Sequence, residues 1–227
     1  FWALGAGFGS ATVYGFSIDM VSDWFDGVGQ EVINASLQIA IYGFLAAILV
    51  LLVGRFHVTR TLKNLIVILM AATVSFAITR EGFEILIYLY SFSGDIDRFS
   101  SVAAGAAIGA SIGISVGVLL YYLLLNMPHR WSLMIAFFCL VLVAGGMLSQ
   151  AALLLIQADW LPAQLPLWDS SSLLSENSVA GQLLYALIGY ESTPTPIQVA
   201  LYLGGLSLLL VLVILAKWKQ AENTYET

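Results

Sequence analysis

An all-α bundle of membrane-spanning helices is the fold class that the sequence predicts, and three observations predict it. Of 227 residues, 60% are hydrophobic and only 10% charged, with a mean hydropathy of +0.92. A water-soluble domain averages about 25% charged residues, so the membrane class is the expectation. Six apolar segments each reach the roughly 20 residues that cross a bilayer. The breakers fall between them: Pro128, Pro162, Pro166, Pro194 and Pro196 lie between or at the edges of the segments, where a missing N–H costs least. Trp2, Trp24, Trp131, Trp160 and Trp218 sit near segment ends, as interfacial anchors do.

The predicted spans are 2–20, 32–53, 65–92, 102–125, 133–156 and 197–216. In the first, Gly5 and Gly9 are four apart and form a weak helix-packing signal. The second carries a polar stripe on its outer half, with Glu31, Asn34 and Gln38 at helical spacing and Tyr42 one turn further. That stripe reads either as an access route inward or as interhelical hydrogen bonding. The third is the longest, is expected to tilt or run past the lipid, and holds the charges discussed below. The fourth has Gly105, Gly109, Gly113 and Gly117 at four-residue spacing. This keeps them near one face, where another helix can approach closely. In the fifth, Ser149 and Gln150 are expected to break the helix near its middle, while Met147 packs and Cys139 is a small buried apolar residue. The sixth runs into Lys217 and Lys219, and residues 157–196 form an outer loop leading into it.

Several classes are excluded. A net charge of −6 opposes nucleic acid, whose binding needs Lys and Arg to neutralise phosphates. One cysteine allows no intrachain disulfide. No nucleophile–base arrangement and no organic-cofactor motif appears, so an enzyme is not expected. The chain starts at Phe1 in apolar sequence without a basic n-region, which is not how a signal peptide starts. It is expected to be a single membrane domain, 1–227, whose true start is missing.

Charge sets the direction. Arg55, Arg60, Lys63, Arg130, Lys217 and Lys219 fall on one side if all six segments span, and the positive-inside rule makes that side, with the C-terminus, cytoplasmic. Asp19, Asp23, Asp26, Glu31, Asp95, Asp97, Asp159, Asp169, Glu176 and Glu191 map to the other face. Acids contribute little to insertion, so this bias reads either as solvated loop charge or as a mouth that concentrates cations. His57 and His129 are expected in the cytoplasmic connections, solvated or interfacial.

Within the third span stands Arg80-Glu81-Gly82-Phe83-Glu84. On a helix Glu81 and Glu84 are i and i+3, and Arg80 and Glu84 are i and i+4. Ionisable groups inside a membrane cost several kcal/mol by default and mark a transport path or a partner. A structural Arg80–Glu84 pair, a proton relay and a cation site all fit. The cation reading uses both carboxylates as oxygen ligands for a hard ion such as ferric iron, Mg²⁺ or Mn²⁺, and one helix supplies too few ligands, so it demands a second acidic helix. Gly82 leaves room for another helix or an ion, and Tyr88, one turn past Glu84, is within reach of a carboxylate.

The pentad resembles the signature of the high-affinity iron permease family, the oxidase-dependent iron transporters. Residues 167–202, "LWDSSSLLSENSVAGQLLYALIGYESTPTPIQVALY", are similar to that family's approach to its last helix. Residues 25–35, "FDGVGQEVINA", are similar to its connection between the second and third helices. The resemblance implies seven helices, of which these six are the second to seventh, and two pentads, one in the first helix and one in the fourth. Arg80, Glu81, Gly82 and Glu84 match the latter, with Phe83 where leucine is commoner. It implies Glu81 and Glu84 as metal ligands, supported by Arg80 and Gly82, to which the spacing of Tyr88 adds a further supporting residue. It further implies iron, ferric or ferrous, as the transported substrate, a plasma or bacterial inner membrane, and a ferroxidase or periplasmic iron-handling partner. The competing reading is a non-transporting subunit of a larger complex that uses Arg80–Glu84 as an interhelix pair.

Overall fold

A computed structural model describes residues 2–54, 60–92, 94 and 96–225. The described chain is helical and has no strand: α1 Trp2–Phe16, α2 Ile18–Ser22, α3 Gly29–Val53, α4 Arg60–Ser91, α5 Ile96–Asn126, α6 His129–Gln157, α7 Val179–Ile188 and α8 Pro196–Tyr225, with a 3-10 turn Trp24–Gly27 before α3. Five of these helices, α3, α4, α5, α6 and α8, are long and apolar enough to cross a membrane. The expected first span is divided. Ser17 leaves helical geometry at φ −97° and ψ 8°, so α1 has only 15 residues. At 1.5 Å per residue that is about 22 Å, short of the roughly 30 Å of hydrocarbon. Phe25, Asp26 and Gly27, all at positive φ, then swing the chain into α3.

Two boundaries shift the charges. Helices α4 and α6 start at Arg60 and His129, so Arg60, Lys63 and Arg130 stand on first turns rather than in connections. Arg55, His57 and Asp95 lie outside the described residues. His129 is exposed at the start of α6, as expected. Trp2, Trp24, Trp131, Trp160 and Trp218 are all exposed.

The centre of the bundle is α3 against α6, flanked by α4 and α8. Ile41, Tyr42, Leu45, Ala46 and Leu49 of α3 meet Ala144 of α6 and Leu209 of α8, with Met147 packed against them. Contrary to the sequence expectation, α6 runs unbroken through Ser149 and Gln150. Both side chains are buried, and the Gln38 amide donates to Gln150 Oε1 at 2.9 Å. A lateral partner satisfies the polar group, so the helix need not open to do so. Tyr42 similarly donates to the Gly205 carbonyl of α8 at 2.9 Å.

Helix α1 lies along α4 through small residues, but not the expected ones. A Cβ on Gly5 or Gly9 would meet nothing within 4 Å, whereas one on Gly7 would sit 2.7 Å from Ile78 Cβ. The Ser75 hydroxyl donates to Ala3 O at 2.9 Å, and Ser10 shares a hydrogen bond with Thr79. Helix α5 differs. A Cβ on Gly105, Gly109, Gly113 or Gly117 would also meet nothing within 4 Å, so the glycine face expected to pack against another helix is open among the described residues.

Candidate metal site

The α1–α4 seam fixes the pentad. A Cβ on Gly82 would lie 3.2 Å from Ala11 Cβ, so the space left by this glycine is taken by α1 and not by an ion. One residue on, Phe83 is buried against Tyr14, ring centroids 4.0 Å apart. With Gly82 and Phe83 turned toward α1, the helical 100° step sends the side chains of Glu81 and Glu84 toward another face. Their side chains keep 60% and 49% of full exposure. Both open into a cavity of about 660 Å³ between α4 and α5, lined also by Tyr88, Ser101 and Gly105.

Arg80 is the buried member, its side chain 11% exposed. It pairs closely with Glu81 and, at 3.6 Å, with Glu84. Beside the Arg80–Glu84 pair that the sequence allowed, Glu81 is the nearer partner. Arg80 Nε is buried with no hydrogen-bond partner among the described residues, so the two carboxylates do not use all of the guanidinium's donors. Tyr88 lines the cavity, but its ring packs edge-on against Phe92 with centroids 5.2 Å apart. It is not bonded to a carboxylate.

Of the expected access route, Glu31 stands in the first turn of α3, where a helix N-terminus favours an anion. The Tyr14 hydroxyl lies within the electrostatic reach of both Glu31 and Glu84, which brings α1, α3 and α4 to one place. Asn34 and Gln38 are buried, and Asn34 Oδ1, Gln38 Oε1 and Tyr14 Oη have no hydrogen-bond partner among the described residues. Gln38 makes an interhelical bond through its Nε2, while its Oε1 stays without a partner among the described residues.

Two neighbours were not visible in the sequence. The 158–195 segment is tied to itself by hydrogen bonds, among them Leu167 N to Pro194 O and Ser170 N to Ser192 O, each 2.9 Å. It carries α7, capped by Ser178 accepting from Gly181 N at 3.0 Å and ended by left-handed Gly189 at φ +68°. A Cβ on Gly146 of α6 would sit 3.0 Å from Gly189 Cα, so two glycines let this turn rest directly on α6. Burial pushes the Tyr185 hydroxyl up, and Arg80, Glu191 and Glu81 lie within its electrostatic reach. Glu191 accepts from Gln198 Nε2, and Glu176 accepts from the Ser192 hydroxyl at 2.7 Å. These two acids, expected at a solvated mouth, are bound into the fold. Burial, and then the neighbouring Glu176, push the Glu191 carboxyl above the usual carboxylate range. The sequence signal was Gly189-Tyr190-Glu191 directly after a capped apolar helix.

No group of three or more His, Cys, Asp or Glu able to hold a metal occurs among the described residues. Two carboxylates on one helix are fewer than the about six oxygens a hard cation takes, so further ligands must be water or other oxygen donors.

Compared with known families, residues 57–218 match the sequence model of the iron permease FTR1 family. The chain belongs to that family. The match spans the pentad, α7 and the 167–202 block, and stops short of residues 25–35, whose likeness it leaves untested. No curated protein and no solved structure matches the chain. Membership makes this a helical, multi-pass membrane protein of an iron-transporting family, and it lends nothing to the reading as a non-transporting subunit.

Proposed function

We propose that this FTR1-family chain moves iron inward through a site in which Glu81 and Glu84 bind the ion. The observation that carries the reading is the opening of both carboxylates into one cavity of about 660 Å³, while Arg80 sits buried behind them. Paired charge at membrane depth is costly, and a purely structural pair would be expected to bury its acids along with its base. Here the base is buried and the acids are open. Arg80 balances the carboxylates until a cation replaces it, and Gly82 and Phe83 hold the helix face against α1.

Iron enters as substrate, ferric or ferrous, and a ferroxidase or a periplasmic iron-handling protein is the partner to expect. Glu31, with Asn34 and Gln38 behind it, provides the route from the acidic side. The basic first turns of α4 and α6 and Lys217 after the apolar part of α8 favour a cytoplasmic C-terminus in a plasma or bacterial inner membrane. The crossing helices correspond to the family's later spans, with α1 and α2 together in the position of its second. Glu81→Ala and Glu84→Ala, each at normal membrane abundance, are expected to abolish uptake of radioactive iron. Wild-type accumulation in both would reject the site.

A further inference from the structure

We propose that a second cavity, where α1, α2 and the start of α3 meet the end of α4, binds an amine-headed phospholipid with its ammonium on the Asp19 carboxylate. The cavity has a volume of about 500 Å³ and shares no lining residue with the one that holds Glu81 and Glu84. The inference does not depend on the iron site.

The cavity is graded from apolar to polar along α4. Leu86 and Ile87 line it one turn before Tyr90 and Ser91, which end the helix. Phe16 of α1 and Ile18 of α2 add to the apolar wall, and Ile18 and Ile87 rest on the cluster of Tyr14, Val21 and Phe83. Helix α4 has 32 residues, about 48 Å at 1.5 Å each, against roughly 30 Å of hydrocarbon. Its last turn therefore reaches the headgroup zone, with Leu86 and Ile87 on the hydrocarbon side of it. Phe16 and Tyr90 are exposed, as aromatic side chains at the membrane boundary are, so the cavity is continuous with the lipid-facing surface of the spanning helices.

The polar groups select the head. No Lys, Arg or His is among the described lining residues. Asp19, exposed in the first turn of α2, has no ion-pair partner among the described residues. The Thr12 and Ser91 hydroxyls each donate back to their own helix, to Phe8 O and Ile87 O at 2.8 Å. Gln30 uses an amide N–H on the Ser22 hydroxyl. What remains is one negative charge and mainly acceptors, so a fitting ligand brings positive charge, N–H donors and an apolar body. An anion fails on charge, and a metal ion leaves the apolar walls unused. A choline head carries the charge but no N–H, whereas a primary ammonium carries three. The Phe16 and Tyr90 rings add attraction for a cation, and the Tyr90 hydroxyl can donate to the lipid phosphate. Phosphatidylethanolamine has this chemistry.

Native mass spectrometry of the purified full chain in detergent tests the assignment. It is titrated with phosphatidylethanolamine or phosphatidylcholine of identical acyl chains, and the dissociation constant of the first bound lipid is read. Phosphatidylethanolamine is expected to bind roughly tenfold tighter. Asp19→Asn is expected to lower its affinity to that of phosphatidylcholine. Phosphatidylcholine itself is expected to change by less than about twofold, which also reports that the variant is folded. Asp19→Glu is expected to keep most of the preference, and Phe16→Ala to weaken both lipids alike. Equal dissociation constants for the two lipids on the wild-type chain overturn the proposal, as does a preference that survives Asp19→Asn. Glycerophosphoethanolamine, the same head without acyl chains, is expected not to displace the lipid at equal concentration. Displacement there would assign the cavity to a soluble amine and overturn the lipid as its occupant.

Discussion

The Gln38 carboxamide donates to Gln150 Oε1 at 2.9 Å across 112 residues of sequence, with Gln38 fully enclosed. This bond joins α3 to α6 at the centre of the bundle. The edge-on pair of Phe44 and Phe76 joins α3 to α4, and Ile33 packs against the cluster of Tyr14, Val21 and Phe83. Gln38→Leu leaves Gln150 Oε1 buried without its donor and is expected to cost about 1–3 kcal/mol. The double change Gln38→Leu with Gln150→Leu is expected to recover part of that. Thermal unfolding in detergent reads both, and equal destabilisation in the single and double variants would count against the pair.

Two sets of glycines should respond in opposite ways. A methyl on Gly7 meets Ile78 Cβ at 2.7 Å, whereas one on Gly105 meets nothing within 4 Å. Gly7→Ala is expected to destabilise by about 1–3 kcal/mol through overpacking and to shift α1 off α4, disturbing the carboxylates with it. Gly105→Ala meets no neighbour and is expected to stabilise the chain by up to about 1 kcal/mol, since alanine favours a helix interior over glycine. Melting temperatures of the two variants, side by side, decide the matter.

Tyr88 shares the cavity with Glu84 but makes its contact through its ring. Tyr88→Phe is accordingly expected to keep iron uptake within about twofold of wild type, since no hydrogen bond is lost. A large loss would assign the hydroxyl a part in binding.

Stability should depend on pH through Glu191. Burial and Glu176 raise its pKa in the folded chain, so between the ordinary carboxylate value and the raised one the folded state holds more protons than the unfolded. Stability then falls as pH rises through that window. Glu191→Gln removes this slope. Unfolding temperatures recorded from acidic to neutral pH are expected to converge for variant and wild type at the acidic end and to separate in the variant's favour near neutrality. Parallel curves would show that Glu191 is not held in its protonated form.

Much of the fold was determined by local sequence. A bilayer-crossing helix needs only length and apolar side chains, so five long helices were legible without any partner. The pentad's own spacing fixed which charges share a helix, because neighbours at i+1, i+3 and i+4 are set by helix geometry alone. The division of α1 at Ser17 was not legible, since its apolar composition continues through Met20.

What tertiary structure decided is what each face meets. Gly7, not Gly5 or Gly9, touches α4, because all three are equally small in sequence and only the azimuth of packing separates them. The regular stripe on α5 was the clearest packing signal and found no partner among the described residues. The electrostatic reach of Tyr185 to both Arg80 and Glu191 depends on how far the 158–195 segment folds back over the bundle. Sequence spacing carries no information about contacts between elements so far apart along the chain.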